Sequence, residues 1–269
     1  MIGAIIGDYV GSAYEFAPTK RYNFKLVTPA SSITDDSIIS LAVADALLQP
    51  ECDYKERMLY YGRKYPNPVG GYGNSFKCWL ESSNPQPYNS YGNGSAMRVS
   101  AIGWAFSSLE TAQIEAQNCA DVTHSHIEGV RGAIATATAV WLARKGYNKV
   151  TIMDEVEKLG YKLDFSIINI KPSYTFSETC QLTVPAAIRC FLESTDYLDC
   201  IRMAVSLGGD ADTLACIAGG IAEAYYGKRY VNKRLAKRAL ATLPADLLGV
   251  YRQFKARFID NQHTARQLQ

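Results

Sequence analysis

Apolar residues recur at helical intervals from the start of the chain. Ile2, Ile5, Ile6, Tyr9, Val10, Ala13 and Tyr14 fall at spacings of three and four, which predicts a buried amphipathic helix rather than a strand. Gly3, Gly7 and Gly11 recur every fourth residue on it. Each glycine costs a helix roughly 1 kcal/mol, so a register of them points to a packing reason, a groove where another helix or a ligand comes close. Ile38, Ile39, Leu41, Ala42, Leu47 and Leu48 mark a second helix beginning at Thr34. The same periodicity predicts helices over about 53–64, 96–107, 110–122, 127–145, 151–159, 177–193, 196–206, 213–226, 231–242 and 245–260. Pro185 sits in the apolar stretch 182–191, so the helix there should kink or begin near it.

Alternating patterns are scarce; the short run Phe165–Ile170 is the best strand candidate. Phe16 to Ile33 is aperiodic, carries Pro18 and Pro29, and reads as a surface loop. A second irregular run, Trp79 to Ser95, is dense in Ser, Asn, Pro, Gly and Tyr and ends directly before a helix. The expected architecture is all-α, a globular array of packed helices.

Composition narrows the functional classes. With 269 residues, 48% of them hydrophobic, the chain can bury a large core, and no linker-like break divides it, which predicts one domain over 1–269. Lys plus Arg number 28 against 26 Asp plus Glu, a net charge of +2, too balanced for a nucleic-acid binder relying on bulk charge. The seven cysteines include no C-x-x-C pair, and the regular Cys180, Cys190 and Cys200 match no zinc spacing, so free thiols in a reducing compartment are expected. The apolar start lacks a cationic leader and carries Asp8, and no stretch reaches membrane-span length; the expectation is a soluble cytoplasmic protein with no membrane partner.

Candidate chemistry lies in two acidic clusters, Thr34-Asp35-Asp36-Ser37 and Gly208-Gly209-Asp210-Ala211-Asp212-Thr213, each followed by a small-residue apolar helix. Together they offer carboxylates and threonine hydroxyls at two helix starts, the oxygen-only set that Mg²⁺ and Mn²⁺ prefer. Either cluster alone reads as an N-cap. A cap needs one acceptor, however, whereas Asp35 beside Asp36, or Asp210 beside Asp212, places two repelling anions together unless a cation or solvent relieves them. Asn89 to Ser95 could cradle a phosphate on backbone N–H groups at a helix start, although a plain surface turn has the same composition. His124 and His126 stand two apart and share no helix face, and with His263 the one other histidine, a histidine-built zinc site is disfavoured.

In chain order, Gly3-x-x-x-Gly7-Asp8-x-x-Gly11-x-x-x-Glu15, Thr34-Asp35-Asp36-Ser37, Gly71-Tyr72-Gly73, Ser90-Tyr91-Gly92-Asn93-Gly94-Ser95-Ala96-Met97-Arg98, Thr123-His124-Ser125-His126, Val184-Pro185-Ala186 and the Gly208 cluster resemble the ADP-ribosylglycohydrolase family, of the dinitrogenase-reductase-activating glycohydrolase type. The resemblance implies a single-domain, all-α orthogonal bundle and two Mg²⁺ or Mn²⁺ ions. It assigns metal ligands to Thr34, Asp35, Asp36, Asp210, Asp212 and Thr213. Ser90, Tyr91, Gly92, Asn93 and Gly94 would hold the diphosphate of ADP-ribose, with Gly73 near the ribose and His124 lining the pocket. Glu15 matches a glutamate that gates the metal site or assists catalysis in some members; which of Glu15, Asp35 and Asp36 assists the water stays open.

The implied activity is metal-dependent cleavage of the glycosidic bond between ADP-ribose and a modified protein or other acceptor, with ADP-ribose as product. That chemistry suits an anionic cleft, which can stabilise an oxocarbenium-like centre, and a metal pair, which can bind vicinal ribose hydroxyls and activate water. Arginine, serine, nucleic acid and free ADP-ribose derivatives all stand as acceptors. A two-metal phosphoester hydrolase of nucleotides and a non-catalytic ADP-ribose-binding protein are the competing readings. The segment 16–33, with Glu15 at its hinge, is expected to act as a lid.

Overall fold

The computed structural model describes residues 1–227 and 231–260, so His263 lies outside the described residues. Among these, regular structure is helical: α1 (Ile2–Gly11), α2 (Asp35–Leu48), α3 (Tyr54–Lys64), α4 (Asn74–Glu81), α5 (Gly94–Met97), α6 (Ser100–Ala105), α7 (Leu109–Asp121), α8 (Ile127–Lys145), α9 (Lys149–Lys158), α10 (Ile167–Ile170), α11 (Cys180–Glu193), α12 (Tyr197–Ser206), α13 (Ala211–Tyr226), α14 (Lys233–Thr242) and α15 (Ala245–Phe254). Local chemistry marks many of the ends. Thr34, Asp53, Ser108, Asn148 and Asp196 each accept a first-turn N–H, and α8 stops at Gly146 with φ of 88°.

The fold is organised around α13, whose small apolar residues are buried from Ala211 through Ala224 and let α1, α8, α11 and α12 close in on several sides. Its contact with α1 is backbone to backbone. A Cβ at Gly3, Gly7 or Gly11 would stand 2.2, 1.9 or 2.4 Å from the carbonyl oxygens of Gly219, Ala215 and Ala211 respectively. The descending partners fix an antiparallel pair in four-residue register. At one end of the pair Glu223 Oε2 accepts from the Met1 amine (2.6 Å) and from Gly3 N (2.7 Å). At the other, the Gly11–Ala211 contact delivers Glu15 beside Asp210 and Asp212. The glycine stripe thus receives a helix, and that packing builds the site.

Several elements depart from the sequence expectation. The strand candidate Phe165–Ile170 is irregular and then helical as α10: Ser166 O accepts from Asn169 N and Ile170 N, and no neighbouring strand is present among the described residues to pair with it. The helix expected over 96–107 is two short helices broken at Arg98 and Val99. Helix α4 falls where none was expected, burying Trp79 and Leu80, with Phe76 stacked on Trp79. Helix α11 runs through Pro185. The segment 16–33 is indeed irregular, yet it is fastened: Lys20 donates to Tyr174 O, Tyr22 to Asp199, and Arg202 to Tyr22 O and Phe24 O. These anchors argue against a freely swinging lid.

Candidate active site

Asp8 is the residue on which the first acidic cluster is assembled. It is fully buried on α1, and its carboxylate accepts from Thr34 N (3.0 Å), Thr34 Oγ1 (2.8 Å), Ser37 N (3.1 Å) and Ser37 Oγ. Those bonds pin the first turn of α2. Burial pushes Asp8 up to about 6 against the lowering effect of these hydrogen bonds. Thr34 itself caps α2, accepting from Asp36 N.

The second cluster opens α13. Asn93 Nδ2 donates to Asp210 Oδ2 (2.7 Å) and to Thr183 Oγ1 (3.1 Å), tying the loop before α5 to the acidic turn. Thr213 Oγ1 donates to Asp36 Oδ2 (3.1 Å), which joins the two clusters. Carboxylate oxygens of Glu15, Asp210 and Asp212 all lie within 4.8 Å of one another. Asp36 Oδ1 and Asp212 Oδ1 are buried and accept no hydrogen bond.

Burial, and after it this crowding, raises the pKa of the clustered carboxyl groups. Glu15 is pushed up to about 8, first by burial and then by Asp212, Asp8 and Glu178. Asp210 rises to about 6, chiefly from burial, and Asp35, Asp36 and Asp212 are raised by burial and then by their acidic neighbours. Oxygen donors, two orphaned buried carboxylate oxygens and crowded anions together fit hard divalent cations.

This crowding carries a pH dependence. Because the folded pKa of Glu15 is about 8 and those of Asp8 and Asp210 about 6, all above their ordinary values, the folded protein holds protons that the unfolded chain releases as pH rises from 4 to 8. Stability from these groups is complete at the acid end and is lost through that window. In chelator, calorimetric Tm is expected to fall between pH 5 and pH 8, and Mn²⁺ should raise it most at pH 8. A Tm in chelator that is flat or rising over this range would contradict the geometry.

Around the clusters lies a cleft of 350 Å³ lined by Glu15, Asp35, Asp36, Gly73, Ser90, Gly92, Asn93, Gly94, His124, Asp210, Asp212 and Thr213 from the sequence reading. Thr34 and Tyr91 are outside the lining. Thr34 is turned into the Asp8 network, and Tyr91 is half exposed, edge-on to His126. Within the expected phosphate loop two N–H groups are already committed, Gly92 N to Ser90 Oγ (3.0 Å) and Asn93 N to Glu178 O (2.7 Å). Gly94, the first residue of α5, also lines this end of the cleft.

Sequence reasoning assigned no role to Asp8, Tyr88, Arg98, Glu178 or the start of α4, although Asn74, Ser75 and Phe76 line the cleft. For α4 the signal was available: Phe76, Trp79 and Leu80 fall at helical spacing. For Asp8 the one local signal was a carboxylate in an otherwise apolar, glycine-spaced helix. No helix among the described residues is long and apolar enough to cross a membrane.

Comparison with known proteins gives concordant matches. The family model described as ADP-ribosylglycohydrolase matches residues 1–261. The ADP-ribosylhydrolase ARH3 of Mus musculus is 29% identical over 309 residues, 86% of this chain and 84% of that protein, and the Gallus gallus ARH3 is 30% identical, with 86% and 85% covered. The ADP-ribosylarginine hydrolase Tri1 of Pseudomonas putida (strain GB-1) is 28% identical over 84% of this chain and 69% of its own. A solved structure titled ADP-ribosylglycohydrolase-related protein complex superimposes with a TM-score of 0.70 at 23% identity, covering 93% of this chain and 96% of that one.

Proposed function

The chain belongs to the ADP-ribosylglycohydrolase family, and from that premise we propose that it is a hydrolase that removes ADP-ribose from a modified acceptor, using two divalent cations held in the acidic cleft. The observation that carries the reading is the pair of orphaned, buried carboxylate oxygens on Asp36 and Asp212, two residues that line one cleft of about 350 Å³. Asp35, Asp36, Asp210, Asp212 and Thr213 would hold the ions, with Thr34 bracing the first cluster through Asp8. When bound, the ions would supply ligand positions for vicinal ribose hydroxyls and a water of lowered pKa.

The rest falls to the chain's own groups. The carboxylates at the cleft floor stabilise positive charge developing at the anomeric carbon as the glycosidic bond breaks. Asn93 holds Asp210 in place, so the second cluster and the α5 loop keep their separation. The starts of α4 and α5 line the cleft, so a diphosphate seated there would meet positive helix ends. Glu15, half-buried against Gly70 and next to Asp212, is suited to position water or to open and close the floor.

Two measurements test this reading. ADP-ribose release from arginine-, serine- and nucleic-acid-linked substrates, compared side by side with Mn²⁺ present, should identify at least one acceptor; no release from any would remove the proposal. Glu15→Gln is expected to retain ADP-ribose binding by calorimetry, because it is not a phosphate contact, while turnover falls roughly 10²- to 10⁴-fold, the range of a general base or water-positioning group. Unchanged turnover would make Glu15 a bystander.

A further inference from the structure

Arg98 closes α5 beneath the cleft and is 1% exposed, yet it has no acidic partner among the described residues. Its guanidinium donates only to neutral acceptors, Cys119 O (2.7 Å), Thr123 Oγ1 (3.0 Å) and, at 3.5 Å, Ala120 O, and its Nε donates to nothing. A buried cation without a counter-charge is costly. It is also the one Lys or Arg lining the cleft among the described residues.

Thr123 links this charge to the cleft surface. Arginine can only donate, so Thr123 Oγ1 accepts from Arg98 and keeps its own hydrogen to give. His124 Nδ1 lies 2.7 Å from that oxygen. Tyr88 also lies within hydrogen-bond reach of Thr123; when Thr123 gives its hydrogen to Nδ1 instead, the ring accepts there and keeps its proton on Nε2. Burial and the neighbouring Arg98 charge hold the His124 pKa well below its usual range, so the ring is neutral. His124 Nε2 sits under the phosphate loop, 3.4 Å from where a Cβ would stand at Gly92 and at Gly94. Glycine at both positions keeps the ring accessible from the cleft.

We propose that Arg98 is a positioning residue which, through Thr123, fixes His124 as a neutral Nε2–H donor and places a buried positive charge under the diphosphate of the substrate. The inference rests on the ADP-ribose reading above and deepens it: the anion completes a charge pair that the protein alone leaves open.

The test combines a ring-tautomer measurement with binding. In the parent, long-range ¹⁵N correlation spectra should show His124 as the Nε2–H tautomer, stable across neutral pH. Thr123→Val should lose that preference, Thr123→Ser should keep it, and Arg98→Met should weaken it. By calorimetry, Thr123→Val and Arg98→Met should raise the Kd for ADP-ribose roughly ten- to a hundredfold, as for a lost hydrogen bond to a charged group. Thr123→Ser should stay near the parent, and Mn²⁺ loading followed by electron paramagnetic resonance should not change in any of them. If Arg98→Met does not fold, the Thr123 pair decides. An Nδ1–H tautomer in the parent, or parent-like ADP-ribose affinity in folded Thr123→Val, overturns the inference and leaves the hydrolase reading standing. A parent that binds Mn²⁺ but no ADP-ribose overturns both.

Discussion

Asp36→Asn and Asp212→Asn are each expected to cut turnover about a thousandfold or more, while the metal-free variants melt at or above the temperature of the metal-free parent. The first effect follows from replacing an anionic ligand of the proposed pair of cations with a neutral amide, where that pair would contribute several kcal/mol at about 1.4 kcal/mol per tenfold in rate. The second follows from the orphaned oxygens: both carboxylates are buried among other acids, so each destabilises the protein when no cation is present. An ordinary structural aspartate would show the reverse, since its removal leaves hydrogen-bond donors unpaired. Kinetics with Mn²⁺ together with melting in chelator separates the two. Loss of activity accompanied by a large drop in metal-free Tm would assign these residues a scaffold role instead.

Gly7→Ala is expected to be the most damaging methyl group that can be added to this protein. Its Cβ would lie 1.9 Å from Ala215 O and 2.7 Å from Cys216 N, atoms of a backbone that cannot rotate away. Helices α1 and α13 must part, at roughly 3 kcal/mol, the upper end for overpacking, which in a chain of this size lowers Tm by roughly 6–12 °C. The displacement also moves Asp8, next in sequence, from the donors of Thr34 and Ser37. Activity should therefore fall further than the folded fraction does. A Gly249→Ala control, inside α15 where a Cβ meets nothing within 4 Å, should leave activity unchanged and raise Tm slightly if it moves it at all. A Gly7→Ala protein that melts with the parent would mean the helix contact is looser than described.

The glycine stripe and the acidic clusters also illustrate what the sequence discloses. The stripe Gly3, Gly7 and Gly11 reads as close approach, but its partner is a stripe of Gly219, Ala215 and Ala211 two hundred or more residues away, which no local pattern connects to it. The acidic clusters read as ligands because each holds more carboxylate than a cap requires, and Glu15 joined them through motif resemblance. Asp8 went unassigned because its four donors arrive from the next helix, beyond the irregular segment 16–33. Helix α8 was read to its final residues, since Gly146 and a long small-residue period mark it clearly. The break at Arg98 and Val99 carries no glycine or proline; it coincides with the reach of Arg98 to Cys119 O and Thr123, a tertiary cause. Tyr91 shares the loop motif with Gly92 and Asn93, yet the loop turns its ring outward to His126.

The central claim is metal-dependent release of intact ADP-ribose from this cleft, and mass spectrometry of the products tests it most directly. Metal-stripped protein is incubated with an ADP-ribosylated acceptor in chelator, then with Mn²⁺ restored. The account expects no turnover in chelator and, with Mn²⁺, ADP-ribose with its diphosphate whole beside an unmodified acceptor. Release of AMP or phosphate, or full activity in the metal-free protein, would contradict it.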